Sequence, residues 1–216
     1  MRPGRRTAAI TAVAALGVAG SALLAVGVAP DGRSAAATGS LDPVAAAPAG
    51  EPAQPTLPPE GTVLPTPSSD VHVAVPALGL DLPVLPLTPS GGVINPPLLT
   101  AAYWIDSYGD PVGDAAQADN TVYIAAHATG TGEYGFDALV DAEADDEGLR
   151  AGDVVEVSTP EGTVDYTVER TQRYDKDELA GAADIWAAVP GRLVLITCFQ
   201  RAGQASTENL VVVAHA

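Results

Sequence analysis

The stretch "LVLITCFQR", residues 193–201, holds the only cysteine of the 216-residue chain at the end of an unbroken apolar run. A run without polar alternation reads as a strand covered on both faces, and therefore as a central one. Alternation of side chains along a strand puts Cys198 on the face of Val194 and Ile196, and Thr197 on the face of Leu193 and Leu195. The thiol leaves the sheet where the chain turns polar, at Gln200 and Arg201. Such a position suits either an inert, buried small hydrophobe or a thiol held rigidly and open to reaction.

Outward from this strand, the same texture recurs. "DVHVAV" (70–75), "NTVYIAAH" (120–127), "DVVEVST" (153–159), "GTVDYTVERTQRY" (162–174) and "NLVVVAHA" (209–216) are rich in Val, Ile and Thr and bounded by Gly, Pro, Asp and Asn, which is the signature of strands. Pro160, Glu161 and Gly162 supply a hairpin turn. "LPVLPL" (82–87) carries two prolines and is expected as an edge or irregular strand. Helical candidates are brief: "FDALVDAEA" (136–144) and "GAADIWAAV" (181–189). The expected fold is all-β, a closed or nearly closed barrel of many strands with one or two short helices.

The amino-terminal part differs. Arg2, Arg5 and Arg6 precede 22 uncharged residues, Ala8 to Ala29. A signal-peptide core runs roughly 7–15 apolar residues, whereas about 20 are needed to cross a bilayer. Residues 1–29 therefore read as an uncleaved transmembrane anchor, with cleavage near Ala35–Ala37 as the alternative. The arginines ahead of the span place the amino terminus inside and the remainder outside. That predicts a single-pass protein of the cell membrane with an extracellular carboxy-terminal domain. Residues 30–69, rich in Pro, Ala, Gly and Ser, read as a disordered linker. Residues 70–216 are enough for one domain with its own core.

Residues 34–216 carry 26 acidic against 6 basic side chains. Nucleic acid is excluded as a partner by that balance, because binding it depends on Lys and Arg neutralising phosphates. A lone cysteine forms no internal disulfide.

A thiol becomes a nucleophile through a partner, usually histidine. Of the three histidines, His72 opens a strand and His215 is penultimate, where exposed polar side chains are ordinary. His127 ends an apolar run and opens the glycine-rich "HATGTGEYGF", and is the candidate partner. Arg192 reads as a surface residue at a strand end, and Trp104 and Trp186 as core anchors. The acidic residues Asp137, Asp141, Glu143, Asp145, Asp146 and Glu147 read as a solvated face. No cofactor is expected, and calcium is the one metal this density of carboxylates admits, without the ordered spacing of a dedicated loop.

The strand-terminal "LITC", the "YIAAH" strand placing His127 71 residues before Cys198, the all-β reading and the anchor with its linker together resemble the sortase family of exported cysteine transpeptidases. "VAVPALGLDLPV", "LRAGDVVEV", "WAAVPGRLVLITC" and "NLVVVA" are most similar to the class F group, with class E next. The resemblance implies an eight-stranded barrel, with the cysteine ending the seventh strand and the histidine following the fourth. It implies that Cys198 attacks the Thr-Gly carbonyl of an LPXTG-like sorting signal and that His127 moves the protons. The acyl group would pass to an amine of a peptidoglycan precursor or a pilin. The family's third residue is an arginine near the start of the last strand, and here that position falls on Asn209. Arg201, three residues after the thiol, is expected to supply the cation instead, with Thr197 and Asn209 touching substrate. Two other readings remain: a non-catalytic exported binding or adhesion barrel, and another cell-wall peptide transpeptidase, although Thr197-Cys198 lacks the glycine of the S-x-G-C sequence expected of the L,D-type.

Overall fold

A computed structural model of the chain describes residues 55–106, 108–109 and 119–216. The expected anchor and the first part of the expected linker lie outside the described residues. From 55 to 71 the chain makes neither strand nor helix, yet it is tied to the domain. Ser69 Oγ donates to Val84 O at 2.7 Å and Thr100 Oγ1 donates to Pro65 O at 2.8 Å.

Eight strands close into a barrel. In chain order these are β1 (His72–Val75), β2 (Leu80–Leu87), β3 (Ala102–Ile105), β4 (Thr121–Ala125), β7 (Val154–Thr159), β8 (Gly162–Asp175), β9 (Arg192–Phe199) and β10 (Glu208–His215). Around the barrel they run β1-β2-β3-β4-β9-β10-β8-β7. Pairs β2–β3 and β4–β9 are parallel and the others antiparallel. Two short strands, β5 (Val140–Asp141) and β6 (Asp146–Glu147), form a separate hairpin. In the closed barrel every strand has a paired neighbour on each side.

The uninterrupted apolar character of β9 has the cause its sequence suggests. Leu193, Leu195 and Phe199 face the barrel interior with Val122, Ile124, Tyr166, Leu210 and Val212. Val194 and Ile196 face outward and are covered by a second cluster containing Tyr123, Leu179, Ile185, Val211 and Val213, with Trp186 packed against it. Both faces of β9 are therefore dry, and Cys198 lies on the outer one.

Three expectations change. The "LPVLPL" segment is no edge: β2 pairs with β1 through Leu80–Pro83 and with β3 through Val84–Leu87. Its prolines fit because this pairing is staggered. Val84 N–H donates to Val71 O at 2.8 Å, so Pro86 turns its missing donor to the same side, past the end of β1. Of the segments expected as helices, 136–144 makes a single 3-10 turn, Asp137–Leu139, followed by the short strand β5, and 181–189 makes turns only, just after the 3-10 turn Leu179–Gly181. In the second, tertiary donors capture the carbonyls that a helix would use. Arg192 donates to Asp184 O (2.8 Å), Ile185 O (2.7 Å) and Ala187 O, and Tyr123 Oη donates to Ile185 O at 2.9 Å. Arg192, expected at the surface, is accordingly buried, at 6% exposure.

Candidate active site

Parallel pairing of β4 with β9 aligns Ala125 with Ile196. Two further bonds extend the register: Ala126 N–H donates to Ile196 O at 3.2 Å, and Thr197 Oγ1 donates to Ala126 O at 2.8 Å. One more residue along, His127 stands beside Cys198. Strands in a sheet lie about 4.8 Å apart, and both residues project from the outer face. On the other flank of β9, Asn209 is the direct cross-strand partner of Cys198, and Tyr174 of β8 is the partner of Asn209. One row of side chains thus crosses four strands.

That row forms the wall of a cleft of about 200 Å³ lined by His127, Cys198, Asn209, Lys176 and Gln200 among largely apolar neighbours that include Ile94, Ala125, Leu179, Trp186 and Ile196. Pro55 and the 92–96 segment lean over it. Among the described residues no aspartate or glutamate lines it.

His127 is nearly buried and its Nε2 lies 2.8 Å from Pro96 O. A carbonyl only accepts, so Nε2 carries the proton and Nδ1 keeps its lone pair. Burial draws the imidazole below its ordinary value, partly opposed by that hydrogen bond. Burial likewise pushes the Cys198 thiol up, opposed by the charge of Lys176 and by a hydrogen bond with Ser206. Desolvation therefore favours the neutral form of both. The same burial disfavours the thiolate–imidazolium pair.

The loop after His127 is held by a buried carboxylate. Asp137 Oδ1 accepts from the N–H groups of Thr129 and Gly130, and Oδ2 accepts from those of Gly132, Glu133 and Tyr134 and from both threonine hydroxyls, Thr129 and Thr131. Phe136 N–H donates to His127 O at 2.7 Å. Gly135, at φ 50°, allows this approach, since a Cβ there would lie 2.2 Å from His127 O.

The remaining candidates are placed as follows. Thr197 lines the cleft, but its hydroxyl is engaged by Ala126 O. Arg201 does not line it. Alternation sends residue 201 to the face opposite Cys198, where its guanidinium lies 4.9 Å from the Phe199 ring and pairs with Asp145 (2.8 Å) and Glu208 (2.9 Å). The expected cation is thus spent at the barrel mouth, together with Arg173, which pairs with Glu147 and Asp145. His72 pairs with Asp81, and His215 packs against Gly191. Trp104 packs on the barrel core, while Trp186 both stacks on Tyr123, with ring centroids 5.1 Å apart, and lines the cleft. Of the acidic cluster, Asp137 binds backbone, Asp145 and Glu147 pair with the barrel-mouth arginines, and Asp146 pairs with Arg150. Among the described residues no three potential metal ligands converge.

Lys176 and Ser206 carry no sequence signal that marks them as site residues. Lys176 sits in "YDKDEL", which reads as solvated charge, and only the strand register brings it to the thiol.

No protein-family model matches the chain, and no curated protein matches its sequence. Solved structures do match. Sortase A of Listeria monocytogenes superposes with a TM-score of 0.50 at 20% identity, over 68% of this chain and 86% of that one. Sortase C1 of Streptococcus agalactiae, in complex with MTSET, gives 0.50 at 15% identity, over 68% of each chain. What is shared at such identity is architecture, and β4 and β9, the strands before His127 and under Cys198, are the fourth and seventh of the barrel. The domain has the eight-stranded barrel fold of the sortases.

Proposed function

We propose that this protein is a cysteine transpeptidase of the sortase kind, most like class F, held at the outer face of the cell membrane by residues 1–29. Its substrates are proteins bearing an LPXTG-like sorting signal, and its acceptor is an amine of a peptidoglycan precursor or a pilin. The observation that carries the reading is the row His127, Cys198, Asn209 on adjacent strands at one end of a sortase-type barrel.

The chemistry follows from the resting protonation. Cys198 passes its proton to Nδ1 of His127 as Sγ attacks the substrate carbonyl carbon, and the C=O electron pair moves to oxygen. The Asn209 side-chain amide donates to that oxyanion. Collapse breaks the C–N bond, and the imidazolium protonates the departing amine. In the second half an acceptor amine attacks the thioester carbonyl, gives its proton to His127 and expels Sγ, which regains a proton. With burial favouring the neutral form of both groups, proton transfer is part of the barrier and a bell-shaped pH–rate profile is expected. The apolar cleft walls suit the leucine and proline of the signal and keep water from the thioester.

The test incubates the full chain in detergent with an LPXTG-type peptide and an amine acceptor, alongside Cys198→Ala. Intact-mass measurement should find the acyl fragment on wild type alone, and the peptide–amine product. Absence of both cleavage and adduct would turn the assignment toward the non-catalytic binding barrel.

A further inference from the structure

The exported domain holds six basic residues, and five are committed elsewhere. Arg150, Arg170, Arg173 and Arg201 pair with carboxylates, and Arg192 is buried against three carbonyls and Thr121 Oγ1. Lys176 alone has no ion pair among the described residues, in a chain of net charge -17. It lines the cleft that contains Cys198, where no carboxylate stands among the described residues. Its placement is built: its backbone N–H donates to Thr207 O at 3.1 Å, fastening the end of β8 to the start of β10. Two residues earlier, Tyr174 is in register with Asn209, and Asn209 with Cys198, so alternation sets Lys176 on the same outer face.

We infer that Lys176 is the cationic residue of this site, its ammonium stabilising negative charge on the Cys198 sulfur and on the acyl oxygen while Asn209 contributes a neutral hydrogen bond. The cation enters from the strand beyond Asn209, in place of the arginine expected on the last strand. A flexible lysine is a point charge rather than a bidentate fork, so it serves thiolate and oxyanion in succession without fixing the geometry of either. The groups facing the sulfur are then His127 from the β4 side, Asn209 from β10, Ser206 from the loop before β10 and Lys176 from the end of β8.

The oxyanion half of this inference rests on the transpeptidase reading, but the thiolate half does not, so the experiment begins with alkylation of Cys198 in the full chain. Iodoacetamide measures the pH profile, and iodoacetate, an anion, measures the local charge. In Lys176→Met the rate with iodoacetamide at pH 7 should fall about tenfold while the limiting rate at high pH is kept. The iodoacetate-to-iodoacetamide rate ratio should fall about fivefold. Lys176→Arg should restore most of both, and kcat/KM on the peptide should follow the same order. A Lys176→Met profile and ratio equal to wild type would overturn the inference, as would a Lys176→Arg variant no nearer to wild type than K176M. An Arg201→Ala variant that moves the profile while Lys176→Met does not would also overturn it. A wild-type chain that alkylates as described yet never cleaves peptide would remove the transpeptidase reading and leave the charge assignment standing.

Discussion

Replacing Asp137 by asparagine keeps the shape of a side chain that is 5% exposed and changes its charge and its hydrogen-bonding character. Oδ1 accepts two backbone N–H groups, and Oδ2 accepts three more with two hydroxyls. An amide has one acceptor oxygen, so its NH2 must face donors in either orientation. The better orientation keeps oxygen at the Oδ2 position and orphans the N–H groups of Thr129 and Gly130. Each buried, unsatisfied donor costs about 1–3 kcal/mol. Residues 131–133 are exposed and admit water, so the total should sit near the lower end, at about 3 kcal/mol. For a domain of this size that lowers the Tm by roughly 6–12 °C. Hydrogen exchange should show lost protection at Thr129 and Gly130, with kcat/KM down about tenfold as the segment after His127 loosens. A Tm within 2 °C of wild type with those amides still protected would refute the account of Asp137 as the latch of this loop.

Stability should also carry the signature of the two neutral site groups. Because burial lowers the His127 value, the unfolded chain binds its proton first, and stability present above the ordinary value of 6.5 is lost as pH falls through it. Because burial raises the Cys198 value, stability present below the ordinary value of 9.0 is lost as pH rises through it. Melting temperature against pH should therefore show a plateau between these limits, and Cys198→Ala should remove the thiol's share of the alkaline fall; an unchanged alkaline limb would contradict a buried neutral thiol. Arg192→Met leaves carbonyls of residues 184–187 without their donors and should cost about 3 kcal/mol in urea denaturation, a loss under 1 kcal/mol meaning that the guanidinium does not hold that segment. Gly135→Ala places a methyl group against His127 O at a positive φ and should cost about 2 kcal/mol or more, with turnover falling further than stability; wild-type turnover would show that the histidine tolerates the displaced loop.

Residue alternation made much of this molecule legible in advance. The β7–β8 hairpin, β9 and β10 announce themselves because their side chains are dictated by two faces of one sheet. The four residues of β3, Ala102–Ile105, were too short a run to register. The segments 136–144 and 181–189 have helical local composition, and nothing nearby reveals that Gly148, Arg192 and Tyr123 will claim their carbonyls. In the site, His127 and Cys198 stood out because each ends an apolar strand. Arg201 misled by its nearness in sequence, although three steps along an extended chain reverse the face. Lys176 was hidden for the complementary reason: 22 residues from the thiol in sequence, it arrives by way of two strand registers.

The parallel pairing of β4 with β9 also bears on how the protein comes to life. Parallel neighbours cannot be joined by a tight turn, and here 71 residues separate His127 from Cys198. Local elements such as the β7–β8 hairpin form on the microsecond scale, whereas a contact of this range waits for the ends of a long loop to meet. Burial of Cys198 after refolding should therefore lag behind recovery of the hairpins. Until the barrel closes, Cys198 has none of its neighbours from β4 and β10 beside it. On the transpeptidase reading proposed above, the site thus exists only in a finished molecule, because no local segment of the chain contains it.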